Sequence, residues 1–240
     1  LSIFANTVGK STNFQRLEDI AEDPNKPGTF YFATTGTTNK PGTTNSAAAT
    51  PAEAENPYGR LYRFSLNASD PTGGISNFEL LLTGGAGKGV SYDNITADRA
   101  GNILLQEDET SFGGDLMDTE SRDARVLKYN IAANEGKNGN DQVEFITEIN
   151  QLAYGEQFDR GTGDWETSGI VEAPGFDSGK SGYLFDVQAH GIRPTTDDGN
   201  ALAGGQVEGG QLLLALPSTT PQVIAGNDSG DVLFGNRSDN

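Results

Sequence analysis

The longest apolar run in this chain, Leu212 to Leu216, stops at Pro217. A membrane-spanning helix needs about 20 apolar residues, so no span of that kind is present in the sequence. Short runs suit strands. They are rich in β-branched and aromatic residues and are bounded by clusters of Gly, Asn, Asp, Thr and Pro, which make turns. Glycine supplies 32 of the 240 residues, enough to punctuate the chain throughout. The expected fold class is therefore all-β, with strands near Phe30–Thr34, Arg60–Leu66, Phe78–Leu82, Ile103–Gln106, Arg125–Tyr129, Val143–Glu148, Gly182–Val187 and Gln211–Leu216. The best helical candidate is a turn or two at Arg16 to Ala21.

Phrases such as Gly59-Arg60-Leu61-Tyr62-Arg63-Phe64 and Asp98-Arg99-Ala100-Gly101-Asn102-Ile103 pair a tight turn with an inner strand. Units of this form build the four-stranded blades of a β-propeller. No clean sequence period marks the repeats, and a β-sandwich is the other arrangement the strands allow. Residues 37–56 carry almost no hydrophobic side chain larger than alanine and read as a long mobile surface loop. Beyond a main portion of residues 1–217, residues 218–240 read as a linker followed by the start of a calcium-binding, RTX-like nonapeptide repeat. Gly226 and Gly235 would open successive units, Asp231 would face the metal and Leu233 the interior.

Charge narrows the partners. The 34 Asp and Glu against 16 Lys and Arg give a net charge of −18, which disfavours nucleic acid and anionic membranes and favours cations. Calcium is the hard cation best matched to Asp, Glu and Asn oxygens. With no cysteine, disulfides, thiolate nucleophiles and sulfur-bound metals are excluded. Residues 1–10 lack a basic start and an apolar core, and the leading Leu1 suggests a fragment whose targeting segment lies upstream.

Three charged stretches could carry chemistry. In Arg16-Leu17-Glu18, arginine and carboxylate stand two residues apart and share a face in extended backbone, so one could grip a phosphate while the other binds metal. Tyr92-Asp93-Asn94 and Gln106-Glu107-Asp108 bracket a hairpin at Gly101-Asn102, whose closure would bring Asp93, Asn94, Glu107 and Asp108 together as oxygen ligands. Asp164-Trp165-Glu166-Thr167-Ser168 adds a further carboxylate pair. A triad of Ser168, His190 and Asp186 is discounted, because Asp186 and His190 share one strand and no nucleophile elbow surrounds Ser168.

The ordered set Phe14-Gln-Arg-Leu-Glu-Asp-Ile-Ala-Glu-Asp-Pro, Gly59-Arg-Leu-Tyr-Arg, Asp93-Asn-Ile, Leu105-Gln-Glu-Asp, Glu166-Thr-Ser-Gly-Ile, Asp186-Val-Gln-Ala-His and Glu208-Gly-Gly-Gln-Leu-Leu resembles the PhoX-type alkaline phosphatases. The resemblance implies the C-terminal blades of a secreted or periplasmic, monomeric β-propeller. Its activity would be calcium-dependent, metal-assisted hydrolysis of phosphomonoesters. Arg16 would contact the substrate phosphate, Glu18 would bind calcium at the catalytic site, and Asp93, Glu107 and Asp108 would be further metal carboxylates. Iron is expected only in a full-length parent, because the family's iron site uses a cysteine that this chain lacks. The alternatives are a noncatalytic calcium-binding propeller or adhesion module, and a different propeller hydrolase such as a lactonase or phytase.

Overall fold

A computed structural model describes residues 14–36, 58–108, 117, 120, 122–137, 141–149, 165–177, 180–192, 207–218 and 232–236. The described residues form three four-stranded sheets, with short helical pieces between strands. The first sheet runs in chain order through β1 (Leu17–Glu22), β2 (Thr29–Thr34), β3 (Arg60–Leu66) and β4 (Ile75–Thr83). The second does the same through β5 (Tyr92–Ala97), β6 (Asn102–Glu107), β7 (Arg125–Asn130) and β8 (Glu144–Glu148), with α1 (Ile131–Asn134) after β7. The third pairs β9 (Glu166–Asp177), β10 (Lys180–Ile192) and β11 (Val207–Ser218) antiparallel, and β12 (Val232–Asn236) joins β11 in parallel. No helix among the described residues is long and apolar enough to cross a membrane.

Alternation along the strands decides what each sheet buries. In β2, Tyr31 and Ala33 turn toward the second sheet and are fully buried there with Leu61, Leu82, Ile95, Ile103 and Leu105. The intervening Phe32 faces the other way and stacks on Tyr62 at 4.9 Å. In β6 the same alternation sends Ile103 and Leu105 to the first sheet and Leu104 to the third, where Trp165, Ile170, Phe185, Val187 and Leu213 receive it. The second sheet is therefore covered on both faces, and the two cores are continuous through it.

The first strands of the three sheets adjoin one another, β1 beside β5 and β5 beside β9, and they share a local design. In β1 the ladder passes from Leu17↔Thr34 to Ile20↔Phe32, so two residues, Glu18 and Asp19, bulge opposite one. In β5 it passes from Tyr92↔Glu107 to Ile95↔Leu105, and the bulge is Asp93-Asn94. In β9 the irregularity falls at Ser168-Gly169, just before Ile170↔Phe185. Such bulges re-aim side chains at strand ends.

Several sequence expectations change here. Arg16 to Ala21 is not helical: from Leu17 it is β1, because cross-strand pairing with β2 outweighs a weak local preference. The first strands β5 and β9 were not foreseen at all. Residues 37–56 and the repeat loop 226–231 lie outside the described residues, whereas Val232–Asn236 is an edge strand on β11.

Candidate active site

Each first strand brings an acidic side chain to the same end of the molecule. Asp93 at the start of β5, Asp108 just past β6 and Glu166 at the start of β9 place one carboxylate oxygen each within 4.8 Å of one another. The β5–β6 hairpin joins the first two, closed by Asp108 N–H donating to Ser91 O at 2.9 Å. An equivalent bond, Thr35 N–H to Arg16 O at 3.0 Å, closes the first sheet. Arg16 and Ser91 both have left-handed backbone, φ 53° and 49°, which costs a side-chain-bearing residue about 1–3 kcal/mol. That turn steers the following Glu18 and Asp93 toward the cluster.

Arg16 ties the first sheet to the second. Its Nη2 donates to Asp108 Oδ2 at 2.9 Å and its Nε to Glu18 Oε1 at 3.2 Å, while Thr35 Oγ1 donates to the same Glu18 oxygen at 3.0 Å. Burial works against the guanidinium charge, but Asp108 and Glu18 outweigh it and hold Arg16 above its ordinary value. The arginine stays 41% exposed, so an anion arriving from solvent can reach it.

Asp93 shows how crowded the carboxylates are. Burial, then the charges of Asp108 and Glu18, push its carboxyl up to about 7, against a smaller pull from Arg16. A group that reluctant to ionise marks a place where a cation would be welcome. The donors are carboxylate oxygens, with no sulfur or imidazole among the clustered residues, which fits a hard divalent ion.

The bulges also link the sheets sideways. Asp19 Oδ2 accepts from Ile95 N–H at 3.0 Å, and Asn94 Oδ1 accepts from Ser168 Oγ at 2.9 Å. Ser168 Oγ further accepts from Gln188 Nε2 at 3.0 Å. Those bonds put Ser168 in a structural tie between the second and third sheets, and Asp186 pairs with Ser168 across the β9–β10 ladder.

Glu107 stands apart from the cluster. It is fully buried, and Arg122 grips both oxygens, Nη1 to Oε2 at 2.6 Å and Nη2 to Oε1 at 2.9 Å. Val90 N–H and Arg125 N–H also donate to it, at 2.7 and 2.9 Å. Its oxygens are committed to anchoring the end of β6, the strand that delivers Asp108. Sequence reasoning passed over Glu166 as a ligand. The available signal was positional: Glu18, Asp93 and Glu166 each fall within the first two residues of a sheet's first strand.

A family model described as alkaline phosphatase PhoX matches residues 3–179. No curated protein and no solved structure matches the chain.

Proposed function

The chain belongs to the PhoX alkaline phosphatase family, and from that premise we propose that it is part of a secreted, calcium-dependent phosphomonoesterase built as a β-propeller. The observation that carries the reading is the convergence of Asp93, Asp108 and Glu166, from two sheets, on one point beside the Arg16 guanidinium. Three adjoining four-stranded sheets with their first strands side by side support the propeller.

In this reading Asp93, Asp108, Glu166 and Glu18 hold calcium. Bound there, calcium offsets the negative charge of a phosphate and polarises it toward attack. Arg16 binds the phosphate oxygens with the fork geometry that guanidinium offers, leaving Asp108 and Glu18 free to turn to the ion. Thr35 holds the Glu18 carboxylate in place, and the Asp19–Ile95 and Asn94–Ser168 bonds fix the spacing between first strands. The chain has no cysteine for the iron ligand that the family resemblance calls for, so no step is assigned to iron.

The test is hydrolysis of a generic aryl phosphate by the chain, with calcium and with chelator, alongside calorimetric titration of calcium. Turnover that requires calcium supports the proposal. Calcium binding without turnover would make the cluster structural and favour a noncatalytic calcium-binding module. Absence of binding would remove the metal reading altogether.

A further inference from the structure

Two polar side chains buried between the second and third sheets tie one to the other. Thr167 in β9 is fully buried, and its hydroxyl is shared between two backbone oxygens of the second sheet, Arg125 O at 3.3 Å and Glu107 O at 3.5 Å. Gln106 in β6 is fully buried as well and answers in the opposite direction: its Nε2 donates to Ser168 O at 3.1 Å. Along β9 this tie directly follows Glu166, and along β6 it directly precedes Asp108. Across the β5–β6 ladder, Gln106 lies opposite the Asp93-Asn94 bulge, between the pairs Tyr92↔Glu107 and Ile95↔Leu105. Each of the three clustered carboxylates is thus adjacent to the tie, in sequence or across the ladder.

An amide is a destabilising choice at position 106. Leu104, on the same face of β6, and Val126, the ladder partner of Gln106, belong to an apolar core with Ile170 and Phe185. A hydrocarbon side chain of the same length would continue that core. The glutamine instead leaves Oε1 buried with no hydrogen-bond partner among the described residues, and a buried acceptor without a partner lowers stability. What the amide supplies and hydrocarbon cannot is the bond to Ser168 O, at the point where the β9 ladder shifts register. Apolar burial is non-directional and holds the sheets together, whereas hydrogen bonds are directional and fix their relative height.

We propose, on the calcium reading given above, that Gln106 and Thr167 are positioning residues: they set how far Glu166 reaches toward Asp93 and Asp108. They act through the backbone of β9 and β6, one step behind the carboxylates. Loss of a partner that orients metal ligands typically weakens metal binding by about tenfold to a hundredfold.

The experiment compares the parent with Gln106→Met and Thr167→Val, each of which keeps the size of the side chain and removes its donor. Calorimetry reads calcium affinity, and thermal unfolding in chelator reads the stability of the metal-free fold. Terbium, a hard cation that substitutes for calcium, reports the coordination shell. Trp165, beside Glu166 and the only tryptophan of the chain, sensitises its luminescence, and lifetimes in light and heavy water count the waters it holds. In both variants the calcium Kd rises about tenfold, the melting temperature in chelator holds, and bound terbium carries an additional water where Glu166 has withdrawn. Unchanged affinity and hydration in both variants, with a parent that binds calcium, overturn this proposal alone. A parent that binds no calcium overturns the site reading and this proposal with it. Affinity and melting temperature that fall together, with hydration unchanged, also overturn it, because the tie then serves only the fold.

Discussion

Replacing Asp93 by Asn is expected to stabilise the metal-free protein and destabilise the calcium-loaded one. The sign comes from the carboxyl's raised value, from 3.8 to about 7, set by burial and then by Asp108 and Glu18. The folded protein binds this proton more tightly than the unfolded chain does, so ionised Asp93 weakens folding. The penalty is complete above about pH 7, shrinks as pH falls toward 3.8, and vanishes below it. A shift of that size corresponds to about 4 kcal/mol, and solvent screening of a half-buried group reduces it to about 2 kcal/mol. Asn removes the charge and keeps the shape. At pH 8 in chelator the variant should therefore melt about 4–8 °C above the parent. The gain should fade as pH drops toward 4. With calcium at about a hundredfold excess over Kd, the parent gains about 2.7 kcal/mol that the variant, missing a ligand, largely forgoes. The order of melting temperatures then reverses. Thermal unfolding followed by circular dichroism, at pH 8 and pH 5 with and without calcium, reads all four conditions. A lower melting temperature for the variant in chelator at pH 8 would refute the crowding argument. An undiminished calcium shift would refute the role of Asp93 as a ligand.

Arg16→Ala should lower kcat/KM for an aryl phosphate by about a hundredfold or more, the scale of a lost charge-stabilising donor. Calcium affinity, measured by calorimetry, should hold or rise in that variant, because Asp108 and Glu18 lose a competing cation. Thr35→Val removes the hydroxyl that orients Glu18 and should weaken calcium binding by about tenfold, with little change in chelator melting temperature. Glu107→Gln weakens the buried fork with Arg122, which keeps Glu120 as its remaining carboxylate at 2.7 Å, so urea unfolding should show a loss of about 1–3 kcal/mol.

The strands readable in the sequence are those that only pack. Thr29–Thr34, Arg60–Leu66, Asn102–Glu107 and Arg125–Asn130 carry short runs of branched and aromatic residues, and their expected bounds fall within a residue of the observed ones. Besides the edge strand β12, the strands that escaped notice, β1, β5 and β9, are those that build the site. Leu17-Glu-Asp-Ile, Tyr92-Asp-Asn-Ile and Thr167-Ser-Gly-Ile spend two consecutive positions on polar or glycine residues because a bulge sits there, and a bulge destroys the period-two signal. Asp93 and Asp108 could be brought together on paper, since a tight turn separates them. Glu166 could not, because its approach depends on the docking of the third sheet against the second. Glu107 and Asp108 are neighbours in sequence, yet strand alternation sends them to different surroundings, one to Arg122 and one to Arg16.

That the clustered carboxylates come from two separate sheets makes the distance between sheets a ruler for the ion. Calcium accepts oxygens at about 2.3–2.6 Å, while magnesium demands about 2.0–2.1 Å. Drawing Glu166 toward Asp93 and Asp108 by that difference means pressing Ile170 and Phe185 into Leu104 and Val126, side chains already in contact in the shared core. If these carboxylates hold calcium, discrimination against the smaller ion would rest on the incompressibility of packed hydrocarbon several residues away from any ligand.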